Sequence, residues 1–327
     1  MSGLKVVFLG GAGMIGSACA REAVEQGVEL TVVTRGPAEK WPVPEGVRHL
    51  RGDVRDPEVL KELLSDAEFD AAVSWIGFNR EQVATDVEFF EGRVGQYVFI
   101  STASVFSRPV PQLPITESSP RRNDAWPYPK EKLECEELLE QAYRERYFPV
   151  TIVRPSHTYD RTVVPVLAGW TAIERMRRSA PVVVHGDGTS LWTLMHTSDF
   201  ARAFVPILGN PHAIGESVNV VSGEILTWDQ IHHTLAAAAG VPATLVHRAS
   251  ETIETEVPQW GPVLKHDFAH SLLFDTSKLQ RLAPGFNPRI PFARGAREII
   301  DWYDADPTRR AVNDKLSAAF DRLIENR

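Results

Sequence analysis

Short apolar runs alternate with longer amphipathic stretches along the first half of the chain. Runs rich in Val, Leu, Ile and Phe are typical of strands that are buried on both faces, and helices are expected between them. The predicted strands span residues 4–9, 30–33, 47–50, 71–75, 97–100 and 150–153. The predicted helices span residues 17–25, 57–64 and 130–147. This alternation predicts an α/β fold whose parallel sheet is covered by helices on both faces.

After about residue 155 the regular alternation ends. Proline, tryptophan and long connections become more frequent there. This change predicts a second, smaller lobe, and no flexible linker precedes it.

Composition and charge narrow the class of protein. Hydrophobic residues make up 43% of the chain and charged residues 24%, as in ordinary globular proteins. The net charge of -8 argues against a main role in binding nucleic acid phosphates. The spacing between Cys19 and Cys135 is not that of metal ligands. The neighbouring His232 and His233 have no third ligand at a suitable spacing, so no metal site is expected. No signal peptide or membrane segment is recognised, and a reduced, cytoplasmic location is expected.

The first predicted strand ends in the glycine-rich sequence LGGAGMIGSA. Gly10, Gly13 and Gly16 lie between this strand and the following helix, with Met14 and Ile15 at the helix start. Such a turn lets backbone N–H groups approach a pyrophosphate at the positive end of the helix dipole. The alternative interpretation of this sequence is a glycine-rich turn that binds no ligand. Because the turn lies between a predicted strand and a predicted helix, binding of a dinucleotide cofactor is favoured.

The end of the second strand indicates which dinucleotide binds. An acidic residue there would accept hydrogen bonds from the adenosine ribose and favour NAD. This chain has Thr34 and Arg35 instead, and an arginine can bind a 2′-phosphate with two hydrogen bonds. NADP is therefore expected ahead of NAD. Asp53, after the third strand, is expected either to hold the adenine amino group or to cap the next helix.

Four further segments carry a family resemblance. They are FISTASVFS at 99–107, YPKEK at 128–132, VRPSHTYD at 153–160 and MHTSDFARAF at 195–204. With the glycine turn, they resemble the extended short-chain dehydrogenase/reductase family, in its NAD(P)-dependent epimerase/dehydratase branch, over nearly the whole chain. The resemblance implies a Rossmann-type doubly wound parallel sheet and a smaller C-terminal α/β lobe that binds substrate. The resemblance also implies two domains. The first consists of residues 1–155 together with a returning segment at 193–222. The smaller lobe consists of residues 156–192 and 223–327.

The resemblance also implies a catalytic set of Thr102, Tyr128 and Lys132. Tyr128, Lys132 and Pro155 would also contact the cofactor. A tyrosine phenol has an ordinary pKa near 10, which is too high for an efficient general base at neutral pH. Lys132, one helical turn away, and the positive nicotinamide ring are expected to lower that pKa. Thr102 would hold the substrate oxygen in line with Tyr128. An exposed tyrosine–lysine pair without a catalytic role is the alternative.

Two departures from the family pattern limit the substrate prediction. Ala103 and Ser104 follow Thr102, where dehydratases of this branch carry an acid pair, which argues against a dehydratase. Trp192 lies four residues before His196, where nucleotide-sugar enzymes often carry an arginine that binds the diphosphate. Five other arginines could replace it: Arg161, Arg175, Arg177, Arg178 and Arg289.

The candidate substrate residues are Ser104, His157, Tyr159 and Trp192. His157 and Tyr159 follow the sixth strand, at the carboxyl edge of the sheet where ligands bind in such folds. The alternative for these two residues is packing within a loop.

Together these features predict an NAD(P)-dependent enzyme that transfers hydride at a secondary hydroxyl or ketone of a sugar-like substrate, with or without a nucleotide. An epimerase and a dehydrogenase/reductase would use the same three catalytic residues. A reductase or dehydrogenase of a non-nucleotide carbonyl compound is one alternative. Several segments are similar to a subgroup that includes chloroplast stem-loop RNA-binding proteins, so a non-catalytic cofactor- or RNA-binding member is another.

A homodimer is expected through the helix at 130–147. Leu133, Leu138, Leu139 and Ala142 form an apolar stripe there, part of which could face a partner across a two-fold axis. No nucleic acid or membrane partner is expected.

Overall fold

The structure is a computed structural model that describes residues 3–36 and 40–325. Strands and helices alternate as far as β6 and become shorter and less regular beyond it. The strands are β1 (Lys5–Leu9), β2 (Glu29–Thr34), β3 (Arg48–Arg51), β4 (Ala71–Ser74), β5 (Gln96–Ile100), β6 (Val150–Pro155), β7 (His157–Tyr159), β8 (Val182–His185), β9 (Leu191–Trp192), β10 (Leu194–His196), β11 (Ser217–Val220), β12 (Leu226–Thr227) and β13 (Leu245–Arg248).

The helices pack on both faces of the main sheet and build most of the second lobe. They are α1 (Met14–Glu25), α2 (Pro57–Leu64), α3 (Arg80–Phe90), α4 (Pro127–Arg146), α5 (Trp170–Arg177), α6 (Thr197–Phe204), α7 (Trp228–Ala238), α8 (Ser250–Glu256), α9 (Gly261–Val263), α10 (Ser277–Leu282), α11 (Phe292–Asp304) and α12 (Asp314–Glu325). A π-helical turn at Leu264–Phe268 follows α9 directly.

Seven strands form one parallel sheet in the order β11-β6-β5-β4-β1-β2-β3. The chain runs outward in one direction from β1 to β3 and in the other from β4 to β6, so the predicted doubly wound fold class is confirmed. The order reverses between β1 and β4, and ligands of such sheets bind at the carboxyl ends of the strands beside this reversal. The glycine turn after β1 and Thr102 after β5 both lie at this edge.

Three helix predictions in the first part of the chain differ from the structure. Helix α1 begins at Met14, three residues earlier than the predicted start at residue 17. Helix α3 was not predicted, although Asn79 caps it by accepting a hydrogen bond from the backbone N–H of Gln82 at 3.0 Å. Its buried residues Val83, Val87 and Phe90 follow helical spacing. Helix α4 begins at Pro127, three residues earlier than predicted, because proline is tolerated in the first turn where its missing N–H is not needed.

Beyond β6 the chain alternates between the second lobe and the main sheet. Three two-stranded pairs, β7 with β10, β8 with β13 and β9 with β12, belong to the lobe side. Between them, α6 packs against α1 and β11 joins the edge of the main sheet beside β6. The segment from β10 to β11 therefore ties the two parts of the molecule together.

The part of helix α4 that was expected to pair with a second copy is only partly accessible. Leu139 and Ala142 are buried in the core of the parent sheet. Leu133 and Leu138 remain partly exposed. A homodimer through α4 stays a prediction, and of the apolar stripe only these two leucines could contribute to it.

Within residues 3–36 and 40–325, no helix has both the length and the apolar character needed to cross a bilayer. Over those same residues, no group of three or more His, Cys, Asp or Glu side chains is arranged to hold a metal ion.

A carboxyl group is buried beneath the sheet at Asp86 of α3. Its Oδ2 accepts hydrogen bonds from the Tyr97 hydroxyl at 2.6 Å and the Ser74 hydroxyl at 2.9 Å. Burial raises the pKa of Asp86 from 3.8 to about 6, although both hydrogen bonds act in the opposite direction. Between these pH values the folded chain holds a proton that the unfolded chain has released. The contribution of Asp86 to stability is therefore greatest below pH 3.8 and is lost as the pH rises through about 6.

Replacing Asp86 by asparagine is expected to stabilise the protein above neutral pH. The amide oxygen can accept both hydrogen bonds, and the variant avoids ionising a buried group. We expect a gain of about 1–3 kcal/mol in the free energy of unfolding at pH 8 that falls toward zero near pH 4. Denaturant melts across this pH range would measure it, with the exposed Glu88→Gln on the same helix as the control. A gain that does not change with pH would contradict a buried ionisation.

Candidate active site

The glycine turn after β1 has the backbone shape that its sequence predicts. Gly10 has φ of +85°, a conformation that favours glycine. A Cβ on Gly16 would lie 2.5 Å from the backbone of Gly11, so only glycine lets α1 start this close to the turn. A Cβ on Gly13, by contrast, would meet no heavy atom within 4 Å. The turn therefore leaves open space directly in front of the helix.

The start of α1 is suited to an anionic group. Gly13 is its N-cap and makes no side-chain capping bond. The backbone N–H groups at Met14 and Ile15 have no intrahelical acceptor, and the helix dipole places partial positive charge there. These residues fit the pyrophosphate of a dinucleotide, which would lie across the turn against these N–H groups.

Basic side chains surround the end of β2. Arg35 is exposed there, and its backbone oxygen accepts a hydrogen bond from Arg51 Nε at 3.1 Å. Asp53 is paired with Arg55 at 2.5 Å, and this hydrogen bond lowers the pKa of Asp53 to about 2. Asp53 does not cap the next helix, because the cap of α2 is Asp56. Its possible contact with an adenine amino group stays a prediction.

Thr102 and Tyr128 lie next to each other at the carboxyl edge of the sheet. Thr102 begins a short 3-10 turn after β5, where its Oγ1 accepts a hydrogen bond from the Ser104 backbone N–H at 3.2 Å. Tyr128 lies in the first turn of α4 and is 37% exposed. Burial raises the pKa of Tyr128, a hydrogen bond with Thr102 lowers it, and the charge of Asp267 raises it further. The net shift is upward, so Tyr128 is protonated at neutral pH.

Lys132 is buried one helical turn beyond Tyr128. Its Nζ donates to the backbone oxygens of Ile100 at 2.7 Å and Gly77 at 2.8 Å, at the ends of β5 and β4. It also lies 4.9 Å from the centre of the Phe78 ring. Burial lowers the pKa of Lys132 to about 8. The lowering of the Tyr128 pKa by Lys132 and a bound nicotinamide ring stays a prediction.

A buried ionic network holds α4 against the sheet. Glu136, on the same helix as Tyr128 and Lys132, accepts two hydrogen bonds from Arg154 of β6, at 2.8 and 2.9 Å. Arg121 adds a third at 2.6 Å. Burial alone would raise the pKa of Glu136, but the two arginines and Ser101 outweigh it and hold that pKa below its usual range. The network fixes the helix that carries Tyr128 and Lys132.

A cleft of about 600 Å³, partly open to solvent, lies between the sheet edge and the second lobe. The first part of the chain contributes Thr102, Ser104 and Pro155 to its walls. The lobe contributes three aromatic rings, those of His157, Trp192 and Phe268. Tyr128 adjoins the cleft through Trp126, because the centres of these two rings lie 5.6 Å apart, and Thr102 is close enough to lower the pKa of Tyr128.

The aromatic wall of the cleft is uncharged. Trp192 Nε1 donates to His157 Nδ1 at 3.1 Å, and the His157 ring stacks on Phe268 at 5.8 Å. Burial lowers the pKa of His157 to about 4, so this imidazole is neutral at physiological pH. His157 therefore acts here as an acceptor and a stacking surface.

One carboxylate, that of Asp267, lies in the cleft wall. It accepts hydrogen bonds from Arg108 Nη2 at 2.9 Å and from Ser104 Oγ at 2.8 Å. The side chains of Arg108 and Asp267 are only 3% and 6% exposed. Arg108 also donates to the backbone oxygens of Ala103, Phe106 and Ser107. Both charges are thus satisfied within the protein.

Comparison with known proteins identifies the family and the fold. Residues 6–221 match the model of the NAD dependent epimerase/dehydratase family. The chain belongs to this family. The same fold occurs in the structure of a UDP-glucose 4-epimerase from Bifidobacterium longum in complex with NAD+ and UDP, with a TM-score of 0.74 and 18% identity over 93% of this chain and 99% of that one.

Two curated relatives differ widely in what their names describe. The chloroplast stem-loop binding protein of 41 kDa b of Arabidopsis thaliana is 25% identical over 98% of this chain and 84% of its own. The 2'-dehydrokanamycin reductase of Streptomyces kanamyceticus is 26% identical over 88% of this chain and 81% of its own. Membership of the epimerase/dehydratase family therefore establishes the fold and the NAD dependence of the class, and leaves the reaction open.

The remaining predicted site residues lie outside the cleft. Tyr159 has no exposed surface and packs in the lobe core, with its ring 5.3 Å from that of Phe292. Two of the arginines considered as diphosphate ligands are bound elsewhere, Arg175 by Asp321 and Arg177 by Asp304. The other three are exposed and do not line the cleft: Arg161, Arg178 and Arg289.

Proposed function

We propose that this protein is an NAD(P)-dependent oxidoreductase that transfers hydride at a secondary hydroxyl or ketone of a sugar-like substrate. The observation that supports this most directly is the placement of Thr102 and Tyr128 together, beside a cleft of about 600 Å³ and at the same sheet edge as the glycine turn. The relative named as a reductase and the fold shared with an epimerase support the same class.

The bound dinucleotide would supply or accept the hydride, and the chain's own residues would manage the proton. Tyr128 has a raised pKa and therefore holds its proton at neutral pH, as a proton donor to a developing alkoxide must. Thr102, which lines the cleft beside Tyr128, would orient the substrate oxygen. Lys132 has two of its three N–H bonds directed to backbone oxygens and would use its third for the cofactor ribose.

Net turnover of added cofactor would separate the remaining reactions. A reductase consumes NADPH or NADH in proportion to the ketone reduced, whereas an epimerase returns hydride to the opposite face and consumes none. Dehydratases occur among the relatives, but Ala103 and Ser104 cannot serve as the acid and base that remove water. Absence of hydride transfer to any ketone in a sugar panel, with either cofactor, would refute the proposal.

We also propose a preference for NADP(H), because Arg35, Arg51 and Arg55 cluster where the adenosine ribose would lie. Arg35→Asp is expected to shift the ratio of NADPH to NADH affinity toward NADH by about tenfold or more, since the new carboxylate repels a 2′-phosphate and accepts from a ribose hydroxyl. Calorimetry with both cofactors would measure the ratio. Arg48→Asp, an exposed change of equal charge at the start of β3, is the control. Tighter binding of NADH by the unaltered protein would contradict the proposal.

Similarity to a stem-loop binding protein over 98% of this chain supports a second candidate, RNA binding without turnover. The net charge of -8 counts against it. A gel shift with structured RNA at physiological salt, beside the cofactor assay, would distinguish the two functions.

A further inference from the structure

Three residues of the cleft carry polar atoms whose hydrogen bonds are unmade. Ser156 follows β6, Thr193 joins β9 to β10, and Trp126 caps α4, and each of them lines the cleft. Ser156 Oγ, Thr193 Oγ1 and Trp126 Nε1 are buried, and none has a partner among the residues that the structure describes. Thr193 as a whole is 2% exposed. An unmade hydrogen bond at a buried polar atom is destabilising, and a ligand bound in this cleft would supply partners to the three atoms.

The charges around these atoms restrict what that ligand can be. Across the described residues, the cleft wall holds no lysine or arginine, and its one carboxylate, Asp267, is already neutralised by Arg108. His157 is neutral because its pKa is about 4. A diphosphate here would lie among aromatic rings without a counter-charge, which is strongly unfavourable. Hydroxyl groups carry no such cost, and they can accept from the Trp126 N–H and both donate to and accept from Ser156 and Thr193.

We propose that Ser156 and Thr193, with the indole N–H of Trp126, determine specificity by hydrogen bonding the hydroxyl groups of an uncharged polyhydroxylated substrate, and that the cleft excludes nucleoside diphosphate sugars. This proposal rests on the proposed function, since it concerns the substrate of the same site. It assigns a role to three residues outside the Thr102, Tyr128 and Lys132 set. The apolar faces of the substrate would lie against Trp192 and Phe268.

The first test measures binding without turnover. Protein saturated with NADP+ would be titrated with uncharged methyl glycosides of glucose, galactose and mannose, and separately with UDP and inorganic pyrophosphate. Tryptophan fluorescence and calorimetry would report binding, since Trp126 and Trp192 line the cleft. We expect at least one methyl glycoside to bind and both anions to show no binding in the same concentration range. Binding of UDP or pyrophosphate, or of no methyl glycoside, would overturn the proposal.

The second test uses matched variants. Thr193→Val keeps the shape of the side chain and removes the hydroxyl, so we expect about tenfold weaker binding of the glycoside that binds the unaltered protein. Thr193→Ser restores the hydroxyl and should bind nearly as well as the unaltered protein. Ser156→Ala provides a second, independent loss should Thr193→Val fold poorly. Equal affinity in all variants would show that these hydroxyls do not recognise substrate.

The two tests are independent of the proposed catalysis. If glycosides bind as expected but no hydride is transferred, the proposed function fails while the binding assignment stands. If hydride transfer occurs only with nucleotide sugars, the proposed function stands and the substrate assignment fails.

Discussion

Tyr128→Phe is expected to lower kcat by about 10²–10⁴-fold while the affinity for cofactor changes by only a few-fold. The variant removes the hydroxyl that would donate the proton, and this range is typical for loss of a general acid. The cofactor would still be held by the glycine turn and Lys132. Single-turnover hydride transfer, measured at saturating substrate, would give the rate, and calorimetry the cofactor affinity.

The matched control is Tyr143→Phe, on the same helix and also 37% exposed. It removes an equivalent hydroxyl far from the cleft and should leave kcat unchanged. Retention of most activity in Tyr128→Phe would mean that another group transfers the proton, and the mechanism proposed here would be wrong. Equal losses in both variants would indicate a structural effect of helix α4.

Glu136→Ala is expected to reduce the free energy of unfolding by about 3–5 kcal/mol, because it leaves the buried Arg154 without its counter-charge, whereas Arg121 keeps its ion pair with Glu140. Arg154, only 1% exposed, is the more affected of the two. Because the pKa of Glu136 is depressed in the folded protein, its contribution is present above its unfolded pKa of 4.5 and is lost as the pH falls below that value. Urea unfolding at pH 7 would measure the change.

Glu137→Ala controls for helix propensity and net charge, since Glu137 is the exposed neighbour on the same helix. We expect it to change stability by less than about 0.5 kcal/mol. A loss below ~1 kcal/mol in Glu136→Ala would show that the network contributes little to holding α4, and that Tyr128 and Lys132 are positioned by apolar packing instead.

The glycine turn and its place before α1 could be predicted from sequence because their determinants are local. Gly10, Gly13 and Gly16 lie within one short segment. The strand before this segment and the helix after it, which together indicate a dinucleotide-binding turn, are its immediate neighbours in sequence. The relation between Tyr128 and Lys132 follows from helical spacing alone. Each of these inferences depends on backbone geometry over a few residues, which a periodic pattern describes well.

The cleft could not be predicted in the same way. Ser104 and Asp267 are 163 residues apart in sequence and form a hydrogen bond of 2.8 Å. Nothing in the sequence around Asp267 marks it as a partner of Ser104 or Arg108. The same limitation explains why Tyr159 was expected to line the substrate pocket. It comes shortly after the sixth strand in sequence, but its side chain packs in the lobe core against Phe292. Such positions are set by the packing of distant elements and not by local pattern.

The environment of Tyr128 is a different case, because spacing along the helix does not show which groups surround the phenol. Lys132 is in place one turn away, yet its ammonium is directed to Ile100 and Gly77. Sequence spacing gives the separation of two side chains along a helix but not the acceptors that compete for the ammonium. Burial then becomes the largest influence on the phenol and raises its pKa.

The ion pair between Arg108 and Asp267 has a consequence for how the molecule can move. Arg108 follows β5, whereas Asp267 belongs to the π-helical turn of the lobe, so this pair bridges the two sides of the cleft. A hinge motion that opened the cleft would break this ion pair and the hydrogen bond between Asp267 and Ser104, and water would then solvate the separated charges. Rotation of the lobe therefore requires all of these contacts to break together. The segment around Trp126 and Tyr128 is joined to the cleft wall by the hydrogen bond from Asn123 Nδ2 to the Ser104 backbone oxygen at 2.8 Å, and we expect ligands to enter through local movement there.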